Sequence, residues 1–221
     1  MGEFTPLMAR DGHEFQAYLA APRGAKRGAV VVLQEIFGVN AHIRALADGY
    51  ADQGYVAIAP CLFDRVAAGL ELGYTSADIE RGRGTMLQIT REQCLKDIAA
   101  CLAVVRNAGR AAVVGYCWGG LLAYLAAGEL RVSCGVSYYG GSIAPHLERL
   151  PKRPMLYHFG ARDAHIPLED VERIRAADTS ATIHLYPAGH GFNCPERADF
   201  HAESAALALQ RTLAFLGEHV G

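Results

Sequence analysis

Residues 111–127 read Ala-Ala-Val-Val-Gly-Tyr-Cys117-Trp-Gly-Gly-Leu-Leu-Ala-Tyr-Leu-Ala-Ala. The apolar run Ala111 to Val114 has the length and β-branched content of a short strand, and the alanine- and leucine-rich run Leu121 to Ala127 favours a helix. Between them Gly115, Gly119 and Gly120 bracket one cysteine. Glycines allow a sharp strand-to-helix turn and close backbone approach, so Cys117 is expected to stand above the end of a strand, at the positive end of a helix dipole that favours thiolate. A tight turn holding a buried cysteine would read the same in isolation. The strand on one side and the helix on the other point to a nucleophile.

Outward from this elbow, extended runs alternate with helical ones. Pro6 to Ala20 suggests a hairpin around Asp11-Gly12. Ala29 to Leu33 and Tyr55 to Ala59 read as buried strands, with a helix between them that Asn40 caps and Gly54 stops. From Cys61 to Thr85 the periodicity fades and glycines accumulate, which suggests a long loop over the sheet edge where substrate enters. A helix through Leu95, Ile98, Leu102 and Val105 precedes the elbow. After it come strands Val132 to Tyr139, Met155 to Phe159 and Thr182 to Tyr186, and helices Pro167 to Ala177 and Asp199 to His219. Strand alternating with helix predicts an α/β fold, a mostly parallel central sheet with helices on both faces. With the elbow, that is the α/β-hydrolase fold, expected as one domain over residues 1–221.

The bulk numbers restrict the function. A formal net charge of -2 over 221 residues, 51% of them hydrophobic and 20% charged, fits a soluble globular protein and supplies no large basic field for nucleic acid. No apolar run has transmembrane length and the N-terminus lacks the pattern of a signal peptide, so the expected setting is the cytoplasm, away from membranes. The six cysteines form neither a CxxC pair nor a zinc cluster, and they are too sparse for a disulfide scaffold. No exposed apolar stripe suggests an oligomer, and a monomer is expected.

A thiol nucleophile needs a base, and the base needs an orienting acid. In the hydrolase fold these follow the nucleophile in the order acid, then histidine. Met155-Leu-Tyr-His-Phe159 runs into Gly160-Ala-Arg-Asp163, and Ile183-His-Leu-Tyr186 runs into Pro187-Ala-Gly-His190-Gly-Phe192. Asp163 is therefore the expected acid and His190 the expected base. His158 and His184 fall inside strands, and His165 is the closest rival. A zinc site on Asp163, His165 and His190 lacks the usual ligand spacing. The oxyanion donors expected in this fold are the backbone N–H of Trp118 and one from the loop after an earlier strand, here Ile36. Glu35 beside it would be costly at the mouth of a buried strand unless paired, which makes it a functional candidate against the alternative of a solvated loop carboxylate.

Gln34-Glu-Ile-Phe-Gly-Val-Asn40, the elbow at 115–120, Asp163 and Gly189-His-Gly-Phe192 together resemble the dienelactone hydrolase (carboxymethylenebutenolidase) family, in order and spacing and over nearly the whole chain. The resemblance implies hydrolysis of a small-molecule ester or lactone by a Cys117-His190-Asp163 triad through an acyl-enzyme, with no metal or organic cofactor. It also implies that Glu35 helps raise the thiolate when substrate binds and displaces it from an arginine, which falls on Arg81 or, next, Arg83. Two family positions differ. A second substrate arginine, four residues after the catalytic histidine, is Cys194 here, and a pocket aromatic is Thr85; Arg197 could substitute for the former. These departures leave open a broad carboxylesterase acting on neutral esters. A third reading, from another class, is a redox-sensing thiol protein, which would have no use for an Asp-His pair within reach of the sulfur.

Overall fold

A computed structural model describes residues 1–221. It forms two compact units, Met1–Ala111 with Val220 and Ala112–His219 with Gly221.

The first unit opens with the expected hairpin, β1 (Glu3–Met8) and β2 (Glu14–Ala20), antiparallel from Glu3↔Leu19 to Met8↔Glu14. Gly12 turns the chain at φ 81° and donates to the Ala9 carbonyl at 3.0 Å. Pro6 is tolerated because β1 lies at the edge of the order β1-β2-β4-β3. β3 (Gly28–Leu33) and β4 (Tyr55–Pro60) pair in parallel and are buried throughout, which is why both read as unbroken apolar runs. Between them α1 (Ala41–Asp52) starts at Asn40, whose side-chain oxygen accepts from Ile43 N at 3.3 Å.

The stretch expected to be one loop, 61–85, is not. It opens with a single 3-10 turn at Leu62–Arg65 and ends in a helix, α2 (Ser76–Met86). The helix carries two glycines and little apolar surface, so its period is faint. A capping box holds its start, Thr75 Oγ1 accepting from Asp78 N at 3.2 Å and Asp78 Oδ2 from Thr75 N at 3.0 Å. Gly82 adds a tertiary reason, because a Cβ there would collide with the Ile36 carbonyl, so the helix backbone rests directly on that loop. α3 (Arg91–Val105) follows, with a second capping box at Thr90 and Gln93.

In the second unit β5 (Ala111–Tyr116), β6 (Cys134–Tyr138), β7 (Met155–Gly160) and β8 (Thr182–Tyr186) pair in succession, all parallel. α4 (Trp118–Glu129) is buried from Trp118 to Ala127, as its all-apolar sequence requires. α5 (Leu168–Ala177) and the long α6 (Ala202–His219) complete the unit. The register aligns Tyr116 with Tyr138, Tyr138 with His158 and Gly160 with Tyr186. Parallel strands thus end together, and the loops carrying Cys117, Asp163 and His190 leave from one edge.

Candidate active site

Cys117 lies between β5 and α4 at φ 54°, ψ -114°. A non-glycine residue held there stores on the order of 1–3 kcal/mol of backbone strain, which the surroundings must enforce. Cys117 N donates to the Tyr138 carbonyl at 3.0 Å, and its carbonyl accepts from Gly120 N at 2.9 Å. The flanking glycines follow from space. A Cβ on Gly115 would meet the Gly119 carbonyl, and one on Gly120 would lie 2.6 Å from both Gly140 Cα and Ser137 Oγ.

His190 reaches the sulfur from the loop after β8. Its Nε2 is 3.1 Å from Cys117 Sγ and its Nδ1 is 2.8 Å from Asp163 Oδ2. A carboxylate only accepts, so Nδ1 carries the proton that it shares with Asp163. The other carboxylate oxygen accepts from His165 N at 2.8 Å, which fixes the acid from both sides. The Asp163 side chain is fully buried and that of His190 nearly so, whereas Cys117 is part-buried. Burial opposes an imidazolium, yet the negative charge at Cys117 and the hydrogen bonds to Asp163 and Cys117 outweigh it, and His190 is pushed up to about 10. The geometry therefore favours a protonated imidazole beside the sulfur.

The rival histidines are accounted for. His165 contributes its backbone N–H to Asp163, and its exposed ring stands edge-on to His190 at 4.9 Å between centroids. His158 is a core residue, with Nδ1 2.7 Å from Tyr186 OH and Nε2 3.0 Å from Thr212 Oγ1. Its burial, then the neighbouring His184 and Arg211, push it well below the usual imidazole range. Sequence reasoning passed over Tyr139, which sits at φ 37° just after β6 and sets its ring edge against His190, 5.3 Å between centroids. A positive φ at a tyrosine has no local signature, so no pattern could have marked it.

The remaining candidates lie as follows. Trp118 occupies the first position of α4 and is buried. In the first unit Glu35 is 1% exposed, which removes the solvated-loop alternative, and Ile36 is buried beside it. Gln34 braces this loop, donating to the Glu35 carbonyl and accepting from Leu62 N, both at 3.1 Å. Arg81 and Arg83 are exposed on α2, and buried Thr85 donates its hydroxyl to the Arg81 carbonyl at 2.9 Å. Cys194 is fully buried, its thiol 3.3 Å from Glu196 Oε2.

A cysteine on a strand-to-helix elbow, then a carboxylate, then a histidine, each leaving the end of a parallel strand, is the arrangement of an α/β-hydrolase. The crystal structure of a protein from Klebsiella pneumoniae subsp. pneumoniae assigned to the dienelactone hydrolases matches with a TM-score of 0.87 at 31% identity, covering 99% of this chain and 98% of that one. An esterase from Pyrococcus furiosus shares the fold at a TM-score of 0.75 and 13% identity, covering 100% and 93%. Carboxymethylenebutenolidase from Pseudomonas putida is 34% identical, with 97% of this chain and 95% of the relative aligned. Residues 15–220 match the model of the dienelactone hydrolase family. The chain belongs to that family, and it is an ester or lactone hydrolase.

Proposed function

We propose that the chain cleaves a small ester or lactone through an acyl-enzyme on Cys117, with His190 as the proton carrier and Asp163 holding the imidazole. One observation carries this reading, the unbroken relay of 3.1 Å from Sγ to Nε2 and 2.8 Å from Nδ1 to Oδ2. Sγ adds to the carbonyl carbon, and the developing oxyanion takes a hydrogen bond from the N–H of Trp118. Collapse breaks the C–O bond as His190 protonates the leaving alkoxide, which in a lactone stays tethered to the acyl group. Water, giving its proton to His190, then cleaves the thioester, and the acid and the thiol are released. The second oxyanion donor is assigned to Ile36 and thiol activation to Glu35, whose burial suits a carboxylate kept for chemistry. Arg81 is assigned to substrate binding. A redox-sensing thiol would need neither the carboxylate nor the hydrogen-bonded imidazole.

One observation favours neutral substrates over dienelactone itself. Cys194 stands where the family's second substrate arginine is expected, and it is buried against Glu196 rather than presenting a cation. Turnover of dienelactone, p-nitrophenyl acetate and a neutral lactone by wild type and Cys117→Ala separates the cases. Cys117-dependent turnover of dienelactone supports the carboxylate-bearing substrate, and turnover of neutral esters alone supports the broad esterase. Turnover of none by wild type, or turnover that survives Cys117→Ala, would overturn the nucleophile assignment.

A further inference from the structure

His190 is flanked by glycines, and another side chain occupies the place where each would carry its Cβ. A Cβ on Gly189 would lie 2.6 Å from Asp199 Oδ1 and 2.8 Å from its Cγ. On Gly191, at φ 83°, it would lie 2.5, 2.6 and 2.7 Å from Nη1, Cζ and Nε of Arg197. Three nearly equal distances mean that the guanidinium lies face-on to the position a Cβ would take. The segment bearing both side chains is stitched to the same loop. Cys194 N donates to the Gly191 carbonyl at 2.9 Å, Arg197 N to Cys194 at 3.1 Å, Phe200 N to Arg197 at 3.1 Å, and His201 N to Phe192 at 3.0 Å. On the opposite side Arg162 N donates to the Ala188 carbonyl at 3.0 Å, tying the loop to the one that carries Asp163.

We propose that Arg197 and Asp199 are positioning residues for His190, gripping the backbone just before and just after it and so setting the distance from Nε2 to the sulfur. This rests on the triad reading above. The choice of side chains suits the task. A planar guanidinium can stack on a bare α carbon where a lysine stem cannot, and a short carboxylate can accept the weak Cα–H contact of a glycine. At Gly191 the left-handed backbone, φ 83°, calls for glycine, and at Gly189 the short side chain of Asp199 leaves no room for a Cβ.

The experiment compares Arg197→Ala, Asp199→Ala and Asp199→Asn with wild type and His190→Gln. It reads p-nitrophenyl acetate kinetics, circular dichroism, and iodoacetamide alkylation of Cys117 followed by peptide mass spectrometry from mildly acidic to alkaline pH. Because small displacements of a catalytic group are costly, each alanine variant is expected to lose about 10- to 100-fold in kcat with KM within about twofold. Its alkylation profile should move toward that of His190→Gln, and Asp199→Asn, which keeps the shape, should recover most of the loss. Wild-type kcat and alkylation in both alanine variants would overturn the proposal. So would a raised KM at unchanged kcat, which would make Arg197 a substrate contact. Should an alanine variant lose its fold, Arg197→Met, which keeps the stem without the planar fork, decides, wild-type kcat again overturning it. If His190→Gln itself behaves as wild type, the triad reading fails rather than the brace.

Discussion

Each unit buries a carboxylate against a basic side chain, and the two use different cations. In the first, Arg65 grips Asp97 in the middle of α3 with two hydrogen bonds, Nε to Oδ2 at 2.8 Å and Nη2 to Oδ1 at 2.7 Å, with Asp11 adding a carboxylate 3.2 Å from Nη1. Those side chains are 6% exposed for Arg65 and 0% for Asp97. Burial pushes the Asp97 carboxyl above its usual range, with Arg65 opposing it. In the second, Asp163 is equally buried but faces an imidazole. Both carboxylates lose their hydration and both regain a charge-assisted partner. An arginine does not release its proton at any accessible pH, so the first cluster is a fixed joint between a turn and a helix. A histidine does release it, and only the second cluster can move a proton between two reactants.

The largest expected effect tests that division at its reactive end. His190→Gln and Cys117→Ala should each lower kcat/KM by at least about 1,000-fold, because nucleophile and base act as one unit. Their urea midpoints should stay near that of wild type. A variant of either residue that kept more than about a tenth of the activity would break the assignment.

Arg65→Met should do the reverse. Removing one partner strands a buried carboxylate, and the expected loss of stability is about 3–5 kcal/mol by urea unfolding, with kcat/KM per folded molecule unchanged. Arg65→Met combined with Asp97→Leu should recover much of that loss, since an apolar pair of similar volume no longer buries a charge. A double variant as unstable as the single one would show that packing, rather than the stranded charge, was responsible.

These clusters also differ in how far the sequence announced them. The elbow, the buried strands and the loops of Asp163 and His190 were legible because each has a local signal: unbroken apolar runs, glycines at fixed offsets, and a polar residue just past a strand end. Arg65 and Asp97 are 32 residues apart, and nothing within either segment marks them as partners. α2 was missed because its polar, glycine-bearing sequence has almost no apolar period. The signal that could have found it was the Thr75-x-x-Asp78 capping box. Gly189 and Gly191 flank His190 in the sequence, but only the fold shows Arg197 and Asp199 lying against them.

A pH series sharpens the contrast between the two cations. The fold raises His190 from 6.5 to about 10, so its contribution to stability is fully present below about pH 6.5 and is lost as pH rises toward 10, since the unfolded chain gives up that proton first. One proton of linkage changes the unfolding free energy by at most about 1.4 kcal/mol per pH unit. The wild-type midpoint should therefore fall across this window, and Asp163→Asn should flatten the slope by removing the carboxylate whose hydrogen bond and charge raise His190. Arg65 adds no slope there. Parallel curves for wild type and Asp163→Asn would mean that the carboxylate is not what holds the proton on His190.

The smallest effect concerns a third buried group, in the same unit as His190. His158 is an imidazole packed as deeply but given hydroxyls instead of a carboxylate, Tyr186 OH on one nitrogen and Thr212 Oγ1 on the other, with Thr212 also 2.7 Å from Tyr138 OH. Neutral partners do not offset the loss of hydration, and the ring is held neutral. Burial alone therefore does not make a base; the buried carboxylate does. Thr212→Val removes the hydroxyl shared by Tyr138 and His158 at nearly constant volume, and it should cost about 1–3 kcal/mol of stability, the penalty of leaving buried polar atoms without their partner. Activity should stay within about twofold of wild type, because an imidazole without a carboxylate partner contributes packing and no proton transfer. A fall in kcat of tenfold or more, at unchanged KM, would show instead that the network under β6 and β7 helps to set the geometry of the elbow that Tyr138 supports through its carbonyl.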